Sequence, residues 1–145
     1  MRIVFTLAFL SFNCLSFAQS LQTIYFDKNW VEVKQPSLAE FSRTITELPD
    51  GMYELKDFYK NNILKQEGKS SGFESIKFQG IVKSYDKDGH LEDEVNYEEG
   101  MRKGEARSYY PNGKLKKLEE YFLDDSIDTI KSPPFPKTKM ISFFD

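Results

Sequence analysis

The stretch YDKDGHLEDEVNY, residues 85–97, is echoed 24 residues later by YYPNGKLKKLEEY, residues 109–121. Five pairs of identical residues share this offset: Gly80 and Gly104, Tyr85 and Tyr109, Gly89 and Gly113, Leu91 and Leu115, and Tyr97 and Tyr121. Matches at a single offset, without an insertion between them, indicate an internal repeat. A period in the twenties with one turn signal per unit predicts one supersecondary element per copy.

Each copy contains a dipeptide that favours a β-hairpin. Asp88-Gly89 and Asn112-Gly113 are pairs preferred in two-residue turns, where both central residues need φ > 0. These four residues are therefore the predicted turn-forming residues. Since such a hairpin is barely stable alone, we expect the two hairpins to pair edge to edge in one sheet.

A two-residue turn at each dipeptide predicts the register of both hairpins. In the first, Val82 faces Val95 on one side of the sheet, and Lys83 faces Glu94 on the other. In the second hairpin the predicted pairs are Tyr110–Leu115, Arg107–Leu118 and Glu105–Glu120. The last pair places like charges opposite each other, and a longer loop in this hairpin would change its pairing.

A degenerate third copy lies upstream, in the stretch FYKNNILKQEG. Phe58, Asn62 and Leu64 stand 27 residues before Tyr85, Gly89 and Leu91, and the extra residues fall in the Ser-Ser-Gly loop at 70–72. Asn62 suits a glycine position because asparagine readily adopts positive φ. The predicted fold is therefore mainly β: a single-layer antiparallel meander of stacked hairpins. A short N-terminal helical turn, with Ser37 as its cap, is expected just after Pro36.

The chain divides into four predicted segments. Residues 1–18 have the features of a signal peptide, namely Arg2, an apolar run too short to span a bilayer, and small residues at positions 16 and 18. An N-terminal β segment occupies 19–56, and the repeats occupy 57–122 as copies at 57–79, 80–103 and 104–122. The proline-containing tail, 123–145, either folds back as an edge strand or awaits a partner.

Composition argues against several functional classes. The formal net charge is −3, which does not suggest a nucleic-acid partner. Cleavage after residue 18 would remove the chain's one cysteine, Cys14, and leave one histidine, His90, so we predict no catalytic residues, no metal site and no cofactor. No stable membrane insertion is expected once the signal is cleaved. The acidic stretch around His90 is interpreted as a solvated hairpin tip.

The repeated stretch resembles the MORN-variant repeat. The unit of that family is a glycine, an aromatic pair, an Asn-Gly or Asp-Gly turn, a leucine, a tyrosine and a further glycine. The first copy departs from it at Asp86, which replaces the second aromatic residue. Upstream, YFDKNWVEVKQPSLAEFSR is similar to the amino-terminal part of exported bacterial proteins with such repeats. The resemblance implies a non-enzymatic protein, and it extends to the YwqK-like antitoxin component of toxin–antitoxin pairs.

The repeated tyrosines are the predicted ligand- or partner-binding residues: Tyr85, Tyr97, Tyr109, Tyr110 and Tyr121. Their spacing allows rows along a sheet, and such rows either form the core or offer an aromatic platform to a partner strand or a sugar ring. The predicted function is that of an exported protein-binding or scaffolding module in the periplasm, outer envelope or extracellular space, antitoxin- or immunity-like. The alternative is glycan or cell-wall binding through a tyrosine row.

Overall fold

The computed structural model describes residues 21–122 in full and the backbone of residues 137–142. The predicted signal peptide and most of the proline-containing tail lie outside the described residues. Within them, nine strands form one antiparallel sheet in which every strand pairs with its neighbours in the sequence. The strands are β1 (Leu21–Phe26), β2 (Phe41–Glu47), β3 (Tyr53–Tyr59), β4 (Leu64–Ser70), β5 (Phe78–Tyr85), β6 (Leu91–Glu98), β7 (Met101–Tyr109), β8 (Leu115–Phe122) and β9 (Lys137–Ser142). The predicted mainly β meander of hairpins is confirmed.

Three of the segment boundaries inferred from the sequence lie inside strands. The divisions 56/57, 79/80 and 103/104 fall within β3, β5 and β7, and the two clear repeats correspond approximately to the hairpins β5–β6 and β7–β8. In the tail, the backbone of β9 pairs antiparallel with β8, so this part of the tail folds back as an edge strand.

The predicted helical turn is a short 3₁₀ helix at Pro36–Leu38. It begins two residues earlier than a cap at Ser37 implies, because Pro36 occupies the first turn and its fixed φ suits that position. Ser37 therefore lies inside the helix, and its predicted role as the cap was wrong. The capping position belongs to Gln35, whose side chain makes no capping hydrogen bond.

The predicted register of the first hairpin is confirmed: Val82 pairs with Val95 and Lys83 with Glu94. In the second hairpin the predictions Arg107–Leu118 and Glu105–Glu120 are also confirmed. The predicted pair Tyr110–Leu115 was wrong, because Leu115 pairs with Tyr109 and the register shifts between Ser108 and Tyr109. Tyr110 instead opens the turn, where its N–H donates to the carbonyl of Lys114.

That shift reflects a different turn from the predicted one. In the first hairpin Gly89 has φ +88°, and its N–H donates to the carbonyl of Asp86, while the Asp86 N–H donates to the carbonyl of His90. Asp88 does not have a positive φ, so this is a longer turn closed by a glycine bulge rather than a two-residue turn. The same hydrogen bonds surround Gly113, and they surround Asn62 at φ +63°, as its place in the degenerate copy predicted.

The two-residue turn with two positive φ values lies at the other end of the sheet, between β6 and β7. Glu99 and Gly100 have φ +51° and +80°, and they connect the paired residues Glu98 and Met101. This turn type was predicted at the Asp-Gly and Asn-Gly dipeptides, and its location between β6 and β7 was not predicted.

Trp30 occupies the position that glycine or asparagine takes in the repeated turns. Its φ is +60°, and its N–H donates to the carbonyl of Asp27. A bulky residue rarely adopts this conformation. The indole packs on the Phe41 ring, with a centroid distance of 4.6 Å and an interplanar angle of 7°. Below it, Arg43 forms a two-pronged ion pair with the buried Asp57, at 2.6 and 2.8 Å.

The core is a row of small and medium apolar side chains that crosses the sheet on one face. Ile45, Leu55, Val82 and Ala106 are buried, and the register places Gly68 opposite Leu55. A Cβ at Gly68 would lie 2.9 Å from a methyl group of Val82, so the absence of a side chain lets β4 and β5 pack closely. Two members of this row, Val82 and Ala106, also line the candidate functional site.

Candidate functional site

Five consecutive strands, β4 to β8, line a groove of about 200 Å³ on one face of the sheet, which we call the groove face. Because side chains alternate along each strand, the register brings together those of Val82, Val95 and Ala106 at the centre. Val82 and Ala106 are buried. These three short side chains form an apolar floor, and longer side chains on either side form its walls.

One wall is polar and centres on Asp93. The Ser108 hydroxyl donates to one Asp93 carboxylate oxygen at 2.5 Å, and the Ser84 hydroxyl lies 3.5 Å from the other. Both serines pair with Asp93 in the sheet, one on each side of it. Glu119 adds a second carboxylate to the lining and pairs with Lys117 at 2.8 Å.

The other wall is aromatic and carries a cation. An Nη of Arg102 donates to the Tyr121 hydroxyl at 3.0 Å, and the guanidinium carbon lies 5.5 Å from the centre of that ring. Hydrogen bonds with Tyr97 and then with Tyr121 raise the pKa of Arg102 above its usual value, against the effect of burial. Tyr97 packs on Phe78 at 5.6 Å between centroids. Two tyrosines thus hold the guanidinium at the edge of the floor.

The opposite face of the sheet is charged, and its tyrosines serve a structural purpose. The Tyr85 hydroxyl donates to Glu67 at 2.9 Å, and the Tyr109 hydroxyl donates to Glu94 at 2.7 Å. Burial and then the hydrogen bond to Glu67 raise the pKa of Tyr85 to about 12. The bond to Tyr109 lowers the pKa of Glu94, helped by Lys83. Equivalent tyrosines therefore tie each clear repeat to the hairpin before it.

The five tyrosines predicted from the sequence are divided among three places. Tyr97 and Tyr121 belong to the groove, Tyr85 and Tyr109 to the opposite face, and Tyr110 to the turn, where Lys116 lies 5.7 Å from the centre of its ring. The structure does not bring them together as one row. The alternation of side chains already contained this signal, because Tyr85 and Tyr97 fall on opposite faces in the register predicted from the turn.

Sequence reasoning also missed the polar members of the groove. Neither Asp93 nor Arg102 was among the predicted binding residues, whereas the groove includes both. The alternation rule placed Asp93 on the same face as Val95, which is the observed arrangement. The face on which Arg102 lies could not be predicted by alternation, because the register between β6 and β7 shifts between Val95 and Tyr97.

The exposed turn of the first hairpin gathers three groups capable of binding a metal. Ligand atoms of Asp86, Asp88 and His90 all lie within 4.8 Å of one another. One carboxylate oxygen of Asp86 accepts the N–H groups of Asp88 and His90, and the other lies 3.0 Å from the His90 ring nitrogen. The backbone N–H of His90 and its side chain lower the pKa of Asp86. These contacts fully explain the cluster as part of the turn.

The two hairpins β5–β6 and β7–β8 are similar to a known family. Residues 78–99 and 102–122 match the model of the MORN repeat variant. The two hairpins are thus similar to MORN repeats. MORN repeats are generally protein- or membrane-binding modules. No curated protein and no solved structure is significantly similar to the chain. None of the helical residues in the described part of the chain forms a segment with the length and apolar character needed to span a membrane.

Proposed function

We propose that this chain is an exported, non-enzymatic repeat protein that binds a protein partner in the bacterial envelope through the groove face. One observation carries the proposal: the two MORN-like hairpins converge on an apolar floor between a polar wall and a wall of tyrosine and arginine. Tyrosine and arginine are enriched at the centres of protein interfaces, where a desolvated pocket receives the partner.

The composition of the groove supports binding rather than catalysis. Activating a serine hydroxyl as a nucleophile requires an adjacent base, usually histidine. Ser84 and Ser108 both contact Asp93, but the single histidine of the chain, His90, lies in the exposed turn instead of the lining. The Asp93 carboxylate is thus a hydrogen-bond acceptor that orients two hydroxyl groups.

Export and an antitoxin-like role rest on the sequence. The signal-like residues 1–18 support a location in the periplasm, outer envelope or extracellular space, and the resemblance to YwqK-like proteins supports sequestration of a partner such as a toxin. A toxin-like gene next to this one would favour that role. The glycan alternative rested on a tyrosine row, and the structure divides those tyrosines between the two faces of the sheet and a turn.

The proposal is tested by photo-crosslinking from adjacent positions with opposite orientations. A benzophenone amino acid at Ser84 faces the groove, and the same probe at Lys83 faces away from it. In cells of the source organism, we expect irradiation to give a discrete protein adduct from position 84 and none from position 83. Adducts from position 83 alone, or from neither position, would contradict binding through the groove face.

A further inference from the structure

Arg102 differs from the other two arginines of the sheet, Arg43 and Arg107, in lacking an acidic partner. Arg43 pairs with Asp57, Lys83 pairs with Glu94, and Arg107 pairs with Glu105. Within residues 21–122, no carboxylate forms an ion pair with Arg102, whose guanidinium donates to the Tyr121 hydroxyl. Its side chain is exposed at the groove. A guanidinium held in this way has donors left for an anion, and its fork matches a carboxylate.

The volume of the groove and the distance between its walls suit the end of a polypeptide chain. Its volume of about 200 Å³ admits only a residue or two. Asp93 and Tyr97 are four residues apart on β6, so the acidic wall and the aromatic wall stand about 13 Å apart. Tyr121 is buried and flanks Arg102, so a chain that passed beyond the guanidinium would have to cross the aromatic wall.

The charges of the two walls define the ligand further. Asp93 and Glu119 are hydrogen-bond acceptors on the polar wall. Their carboxylates disfavour the binding of an anion that carries two negative charges, such as a phosphate. A peptide terminus carries one negative charge, and its N–H groups recur upstream at about 3.4 Å per residue in an extended chain. Small apolar side chains on such a terminus match the floor formed by Val82, Val95 and Ala106.

We infer that the groove binds the free carboxyl terminus of a partner protein, with Arg102 receiving the carboxylate and Asp93 accepting a backbone N–H. This inference rests on the proposed function and specifies which part of the partner is recognised. Tyr97 and Tyr121 position the guanidinium, and the floor takes the last one or two side chains. A partner with a blocked or amidated terminus is not expected to bind.

The experiment uses the mature chain and a peptide probe, acetyl-Gly-Ala-Ala, as the free acid and as the C-terminal amide. Titrations followed by ¹H–¹⁵N NMR should show saturable shifts for the free acid at the amides of Val82, Val95 and Ala106 and at the side-chain Nε–H of Arg102. We expect the amide to bind at least about tenfold more weakly, since a hydrogen bond to a charged group is worth about 1.5–3 kcal/mol. Equal binding of acid and amide, or no shifts for the acid up to about 10 mM, would overturn the inference.

Variants separate recognition from folding. Arg102→Gln should lose the preference for the free acid, and Arg102→Lys should keep part of it. Arg107→Gln, on the opposite face, is the matched control and should leave the preference unchanged. Unaltered amide spectra of the free variants away from the substitution show that they fold. Crosslinking from Ser84 without binding of the free acid would refute only this inference, whereas crosslinking from Lys83 alone would refute the proposed function.

Discussion

The close approach of β4 and β5 at Gly68 yields a quantitative prediction. A Cβ at Gly68 would meet a Val82 methyl group at 2.9 Å and two carbons of the Phe78 ring at 3.3 Å. Overpacking of this kind costs about 1–3 kcal/mol. Replacing glycine within a strand returns about 0.5–1 kcal/mol of backbone entropy. We therefore expect Gly68→Ala to lower the free energy of unfolding by about 0–2.5 kcal/mol.

The informative quantity is the coupling with Val82→Ala. That substitution alone leaves a cavity and is expected to cost about 1–3 kcal/mol. In the double variant the new Cβ of residue 68 occupies space that the lost methyl groups vacate, so the double variant should be more stable than the sum of the single changes by about 1–2 kcal/mol. Urea unfolding followed by circular dichroism measures all four free energies.

A control uses the same substitution at a position that is not among the closest neighbours. Val95 lies on the same floor but does not supply any of the three atoms nearest to the Gly68 Cβ position. Gly68→Ala and Val95→Ala should add within about 0.5 kcal/mol. If Val82→Ala were equally additive, the steric reasoning for Gly68 would be refuted.

Three further predictions concern the ion pair, the turns and alkaline pH. Asp57→Asn leaves Arg43 half-paired in a buried site and should lower the free energy of unfolding by about 3–5 kcal/mol in urea titrations, and a loss under 1 kcal/mol would contradict this. Gly113→Ala has room for its Cβ but keeps φ at +78°, so thermal unfolding should reveal a loss of about 1–2 kcal/mol and a smaller one for Gly113→Asn. Tyr85 has a pKa of about 12 when folded and about 10 when unfolded, so its stabilising contribution is complete below pH 10 and lost between pH 10 and 12. The pKa values of Tyr59 and Tyr109 are raised as well, so absorbance at 295 nm should show several tyrosines ionising late, and Tyr85→Phe should remove the component near pH 12.

The sequence was sufficient to predict the meander and the register within the first hairpin. The 24-residue offset and the Asp-Gly dipeptide located the hairpin, and the apolar pair Val82–Val95 fixed which residues face each other. The turn type was wrong because a two-residue turn and a longer turn with a glycine bulge produce the same pairing away from the loop. They differ only next to it, where Leu91 pairs with Tyr85.

Less of the groove could be predicted from the sequence. Repeat spacing drew attention to tyrosines because they recur, but recurrence does not distinguish the two faces of a sheet. Tyr85 and Tyr109 recur because each ties one hairpin to its predecessor through a glutamate. The equivalent position of the first clear repeat does not contain arginine. The position of Arg102 also depends on a local irregularity in the pairing of β6 and β7, which the residue pattern does not indicate.

The strictly sequential pairing of the strands also affects how such a molecule can change over evolutionary time. Because each hairpin contacts only those on either side of it, duplication or loss of one unit between others leaves every remaining junction intact. The number of copies can then change, while the Tyr–Glu hydrogen bond that joins each clear repeat to the hairpin before it preserves the fit. A lineage could thereby lengthen the groove by one hairpin at a time and match it to a larger target.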